Sequence, residues 1–185
     1  GLENPLTHLI LAGFLLFFLR EKHNARTIFA MALLAALGIL NRMDTALLYL
    51  PPLGYAWATV RTSRATFAGA AGMLPIIAWE VFSIVYYGFP FPNTAYAKLG
   101  TGIPAGEVME QGIHYFEHTW NRDILTLPVI GLAFLTPLLA RRLKFLAPVV
   151  GLALYLAYIV KIGGDFMGGR FFATPLFLAV MLLSA

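Results

Sequence analysis

The sequence predicts an all-α fold: a polytopic transmembrane helix bundle of six to seven spans, with an extracytoplasmic loop bearing an amphipathic interfacial helix. Composition and charge placement carry that expectation. Hydrophobic types make up 59% of the 185 residues and charged types only 12%, with a mean hydropathy of +0.77. A soluble domain carries about 25% charged residues. The charges here sit between long apolar runs, as they do in a chain threaded repeatedly through a bilayer. With no cysteine, disulfides and thiolate metal sites are excluded. The net charge of +4 fits basic loop anchors at a membrane and does not indicate nucleic-acid binding.

Seven apolar runs can be delimited, over residues 5–19, 27–40, 45–60, 65–87, 124–140, 145–160 and 171–185. Pro51-Pro52 is expected to kink the third. The seventh ends short of the roughly 20 residues a span requires. Gly1 is not an initiator Met and no signal peptide is visible. The protein is therefore expected to continue at both ends.

The loops between runs fall into two alternating sets. One comprises 20–26, 61–64 and 141–144, and it holds eight of the thirteen Lys and Arg: Arg20, Lys22, Arg26, Arg61, Arg64, Arg141, Arg142 and Lys144. Glu21 is its one acid. Short basic loops belong in the cytoplasm. The other set, 1–4, 41–44, 88–122 and 161–170, is placed outside. It carries most of the acids together with the Gly, Pro and aromatic clusters. A chain that needed only to fold in lipid would not require that asymmetry, whereas binding or chemistry at the outer face would. Glu80 lies inside the fourth run, toward its outer end.

Four outer segments hold the candidate site residues. Arg42 and Asp44 stand at a membrane boundary, where charge is costly unless paired or wet. They read either as a salt bridge capping the third helix or as Arg42 holding a lipid phosphate. In Tyr86–Lys98 the X-Pro pairs set the path out of the fourth helix, and Asn93, Tyr96 and Lys98 supply donors suited to sugar or phosphate. An aromatic belt at the interface is the plainer reading of that segment. Glu107–Trp120 has helical spacing: Met109, Ile113, Phe116 and Trp120 form an apolar stripe, with Glu110, His114 and His118 on another face. The latter three could bind a metal, although Glu–His pairs are common on solvated faces. In Gly163-Gly164-Asp165-Phe166-Met167-Gly168-Gly169-Arg170, four glycines flank one acid and one base. Glycine lets backbone amides approach an anion. Arg170 could fork onto a phosphate, and Asp165 could take sugar hydroxyls or a cation. A tight turn closed by an Asp–Arg pair is the alternative. Gly-Gly-Asp-Phe is also a signature of cyclic-dinucleotide synthases, but those are soluble domains and this is a short loop between apolar runs.

Taken together, these segments resemble a known class. Gly1-Leu2-Glu3-Asn4-Pro5-Leu6 opening an apolar helix, and Arg42-Met43-Asp44 at the start of a later one, are similar to outer-loop motifs of GT-C polyprenyl-phosphate-sugar-dependent glycosyltransferases. That class usually has Pro where Met43 stands. Pro90–Lys98 together with Gly163–Arg170 resembles, more narrowly, the mycobacterial terminal arabinofuranosyltransferase family, and the resemblance covers most of the chain. It implies an inverting sugar transfer from a polyprenyl-phosphate donor to a cell-envelope glycan or lipid, at the outer face of a bacterial plasma membrane. It implies Arg42, Lys98 and Arg170 as holders of the donor phosphate, and Asn93, Tyr96 and Asp165 near the sugar. Glu3, Asp44, His114 and His118 would line the site. The family's catalytic acid would lie upstream of Gly1, so none is assigned and this stretch alone is expected to be inactive. No cofactor is implied, and a divalent cation is left open.

A transporter or flippase for a lipid-linked or anionic solute is the main alternative. A non-catalytic structural membrane protein is another. Transport calls for charges lining a route between both faces, yet the runs are nearly free of charge.

Overall fold

The structure, a computed structural model, describes residues 3–90, 102–165 and 167–185. Every regular element among them is helical. In chain order these are α1 (Glu3–Phe18), α2 (Ala25–Asn41), α3 (Ala46–Val60), α4 (Ser63–Gly72), α5 (Leu74–Tyr87), α6 (Ala105–Arg122), α7 (Thr126–Ala133), α8 (Thr136–Leu139), α9 (Leu146–Lys161) and α10 (Ala173–Leu183). Short 3-10 turns at Met43–Thr45, Leu143–Phe145 and Arg170–Phe172 lead into α3, α9 and α10.

Local chemistry sets several boundaries. Asn24 and Thr27 form a capping box: the Thr27 amide donates to Asn24 Oδ1 at 3.0 Å, and the Asn24 amide to Thr27 Oγ1 at 2.7 Å. Asp123 accepts from the amides of Leu125 and Thr126, opening α7. Between α4 and α5 the chain bends by 45° around Met73, so the apolar run 65–87 is not one straight rod. Pro75, in the first turn of α5, lacks the N–H that would carry the ladder across this break. Pro51 and Pro52, by contrast, are accommodated inside an unbroken α3.

The core is built mainly of apolar side chains from α1, α2, α3, α9 and α10, among them Phe14, Phe18, Met31, Tyr49, Leu152 and Leu178, with Phe172 from the turn before α10. Around it much of the surface stays apolar. On α5 alone Ile77, Val81, Phe82, Val85 and Tyr86 are exposed. Such continuous apolar surface marks a lipid or partner interface. Among the described residues one helical stretch, Leu143–Lys161, is alone long and apolar enough to cross a membrane, and the bent pair α4–α5 could together form a second. Glu3–Phe18, Ala25–Asn41 and Arg170–Leu183 are apolar but shorter. The expected six to seven spans are thus not established by helix length. The helices end where capping groups and turns stop them, a few residues short of a full bilayer thickness.

Two ends of the bundle differ. At one, Lys144 Nζ donates to the Leu19 carbonyl at 3.0 Å and His23 meets Thr59 Oγ1 at 3.4 Å, which gathers the three basic loops. At the other lie the start of α1, the α2–α3 junction, the end of α9, the glycine loop 163–169 and α6.

Candidate functional site

The glycine loop is fixed between α9 and α6 by close approach. Gly112 sits against the Val160 backbone, where a Cβ would collide. Gly164 has φ +74°, and a Cβ there would lie 2.6 Å from Tyr115 Cγ. Only glycine meets both demands at 164. Tyr115 then pins the loop: its hydroxyl donates to the Met167 carbonyl at 3.0 Å and accepts from the Phe171 amide at 3.2 Å. Burial pushes the Tyr115 phenol up, keeping it a neutral donor.

This placement carries Arg170 to the N-terminus of α1. Its guanidinium meets Glu3 Oε1 through Nη2 at 2.5 Å and Nε at 3.1 Å, and Asp165 Oδ2 through Nη1 at 3.1 Å. Hydrogen bonding to its own backbone amide, and then to Arg170, holds the Glu3 carboxyl down at about 2. The Glu3 bond in turn raises Arg170 above its ordinary value. Both groups therefore stay charged, and the cluster contains two carboxylates to one guanidinium.

Beside it lies a second, more enclosed cluster. Arg42 forks onto Asp44, Nη2 to Oδ2 at 2.5 Å and Nε to Oδ1 at 3.2 Å. It also donates to Asn4 Oδ1 at 3.0 Å and to the Tyr155 hydroxyl at 2.9 Å, and that hydroxyl donates to Asp44 Oδ2 at 2.6 Å. The Arg42 and Asp44 side chains are only 8% and 10% exposed. Burial works against the Arg42 charge, but Asp44, Tyr155 and Glu3 outweigh it and its pKa lies above the ordinary value. The Phe171 ring lies 5.4 Å from the Arg42 guanidinium carbon, joining the two clusters. Asn41 ties them to α1 by donating to the Glu3 carbonyl at 3.2 Å and to Thr7 Oγ1 at 2.8 Å.

Of the residues singled out from sequence, Glu3, Arg42, Asp44, Asp165 and Arg170 thus meet at one end of the bundle. His114 faces solvent between Glu117, at 2.8 Å, and Glu110, at 4.0 Å. His118 instead borders the glycine loop, beside Gly168. Among the described residues no group of three side chains is arranged to hold a metal ion. Asn93, Tyr96 and Lys98 lie outside the described residues. Sequence reading missed Tyr115, Tyr155, Asn4 and Asn41. Asn4 on α1 and Tyr155 on α9 reach Arg42 across 38 and 113 positions and leave no local signal.

No family model and no solved structure matches the chain. Two curated proteins do. A "Terminal beta-(1->2)-arabinofuranosyltransferase" of Mycobacterium tuberculosis is 31% identical over 179 residues, covering 80% of this chain and 27% of that protein. One of the same name from Corynebacterium glutamicum is 25% identical over 173 residues, covering 71% of this chain and 24% of its own length. The chain spans about a quarter of the length of these relatives. Over most of its own length, then, the chain is a relative of proteins named as terminal arabinofuranosyltransferases, the group that its motifs resemble.

Proposed function

We propose that the protein is an integral membrane glycosyltransferase that moves a sugar, a pentofuranose, from a polyprenyl-phosphate donor to a cell-envelope glycan or lipid at the extracytoplasmic face of a bacterial plasma membrane. The observation that carries this reading is the gathering of Glu3, Asp165, Arg170, Arg42 and Asp44 at the end of the bundle opposite its basic loops. Short basic loops favour the cytoplasm, which leaves the charged clusters outside. The names of the relatives supply the sugar class. The exposed stripe Met109, Ile113 and Trp120 on α6 suits a helix lying on the membrane surface, and the remaining short apolar helices complete six to seven spans.

In the proposed transfer an acceptor hydroxyl attacks the anomeric carbon and loses its proton to a carboxylate. The bond from that carbon to the phosphate oxygen breaks, and the polyprenyl phosphate leaves as an anion. Arg170, with its side chain 34% exposed, can exchange a carboxylate for phosphate oxygens. Arg42 is too enclosed to do so readily and serves to frame the site. Lys98 would add a second cation at the phosphate, while Asn93, Tyr96 and Asp165 contact the sugar.

The test is sugar transfer from a polyprenyl-phospho-arabinofuranose by the protein expressed from its full reading frame, beside Lys98→Ala and Arg170→Ala. Each variant is expected to lose about tenfold or more in kcat/KM, the worth of a hydrogen bond to a charged group. Unchanged transfer in both would remove the phosphate assignment. No transfer by the unaltered protein with any polyprenyl-phosphate sugar would remove the enzyme reading.

A further inference from the structure

On the other side of the glycine loop from Glu3, a cleft of about 590 Å³ opens between the C-terminal end of α6 and the starts of α7 and α10. Its volume is within the range of small-molecule sites. Gly168 and Gly169 form the shared wall: they line the cleft, and the next residue, Arg170, turns back to Glu3. A Cβ at Gly168 would stand 3.2 Å from His118 Nε2, so the bare backbone leaves room for the imidazole at the cleft edge.

The polar groups of the cleft are of two kinds. Arg122 and His118 are exposed at its mouth, and neither has a hydrogen-bond or ion-pair partner among the described residues. Arg122 offers five N–H groups awaiting acceptors, and the His118 ring adds at least one more. Thr119 and Thr126 are buried on the inner wall. Their hydroxyl protons are already committed, Thr119 to the Tyr115 carbonyl at 3.0 Å and Thr126 to Asp123 Oδ2 at 2.5 Å. What their oxygens have left is acceptor capacity. The Asp123 carboxylate adds more, and its hydrogen bonds, led by that from Thr126, lower its pKa and keep it ionised.

Donors and acceptors therefore line one cavity together, and one fixed negative charge offsets one fixed positive charge. A phosphate could use only the donors and would face the Asp123 carboxylate. A sugar hydroxyl both donates and accepts, and a ring bearing several of them can satisfy both kinds of group at once. We infer that this cleft binds a neutral, polyhydroxylated glycan, the acceptor of the transfer proposed above, with Arg122 and His118 donating to its hydroxyls and Asp123 and Thr126 accepting from them. The glycine loop then separates acceptor from donor, with Arg170 facing the donor side. This deepens the transfer reading, but it is tested by binding alone, so either can fail without the other.

The full-length protein in nanodiscs, free of sugar-based detergent, is titrated with a synthetic arabinofuranose tetrasaccharide and separately with farnesyl phosphate. Arg122→Gln and His118→Gln are compared with Arg64→Gln, which lies at the opposite end of the bundle. The tetrasaccharide is expected to bind the unaltered protein and Arg64→Gln alike. In Arg122→Gln its Kd should rise about tenfold, the worth of a hydrogen bond from a charged donor, with farnesyl phosphate affinity unchanged. If Arg122→Gln folds poorly, His118→Gln carries the same expectation in direction. Failure of the tetrasaccharide to bind, or equal binding in both cleft variants, overturns the proposal. A loss of farnesyl phosphate affinity in place of glycan affinity also overturns it and makes the cleft an anion site.

Discussion

Asp44 is the anion of the enclosed cluster at the polar end. Its two oxygens take both arms of the Arg42 fork and the Tyr155 hydroxyl, and they do so almost out of contact with water. Removing one partner of such a pair leaves the other charge enclosed and uncompensated, at a cost of about 3–5 kcal/mol. Asp44→Asn should therefore lower the unfolding free energy by about 3 kcal/mol or more in a denaturant titration, whereas Tyr155→Phe, which leaves the fork intact, should cost about 1 kcal/mol. Equal, small effects would mean the fork is not what holds α2, α3 and α9 together at this end. Arg42 and Asp44 were legible in sequence because two opposite charges interrupt an apolar stretch only two residues apart. Tyr155 was not, since it reaches Asp44 from 111 positions away and resembles any other aromatic in its helix.

α6 packs on the protein through a face that its apolar pattern does not mark. Of the bulky stripe expected on an interfacial helix, Met109, Ile113 and Trp120 are about half exposed, and the face buried against the protein is Gly112, Tyr115 and Thr119. The reason is distance: Gly112 lets α6 descend onto the Val160 backbone, and a larger side chain there would hold the helices apart. The bulky residues then turn away, toward whatever surrounds the protein. Gly112→Ala should lift α6 from α9 at a cost of about 1–3 kcal/mol. Hydrogen exchange should quicken in α6 and in the glycine loop that Tyr115 pins, while α1 and α2 keep their protection. Uniform exchange across all helices would show that α6 does not open independently. The charge-bounded apolar runs, by contrast, lie within a few residues of α1, α2, α3 and α9, because capping groups and charges mark helix ends in sequence. The bend at Met73 was hidden because the run through it stays apolar on both sides.

At the scale of the whole molecule the central claim is a polarity: basic loops at one end, and the two arginine–carboxylate clusters, the glycine loop and the cleft at the other. Alternating loop charge made that polarity readable before any contact was known. The contacts between Lys144 and Leu19, and between Arg170 and Glu3, give it a spatial form. What those contacts do not depend on is which end faces the cytoplasm. These 185 residues hold no cysteine, so a single cysteine placed at each end can be compared with the unaltered protein. Glu107→Cys in α6 and Arg64→Cys in the basic loop between α3 and α4 both replace exposed side chains. With a membrane-impermeant maleimide on intact cells, the account predicts that Cys replacing Glu107 is labelled at once and Cys replacing Arg64 only after the membrane is opened. Labelling of both from the same side, or in the reverse order, would contradict it.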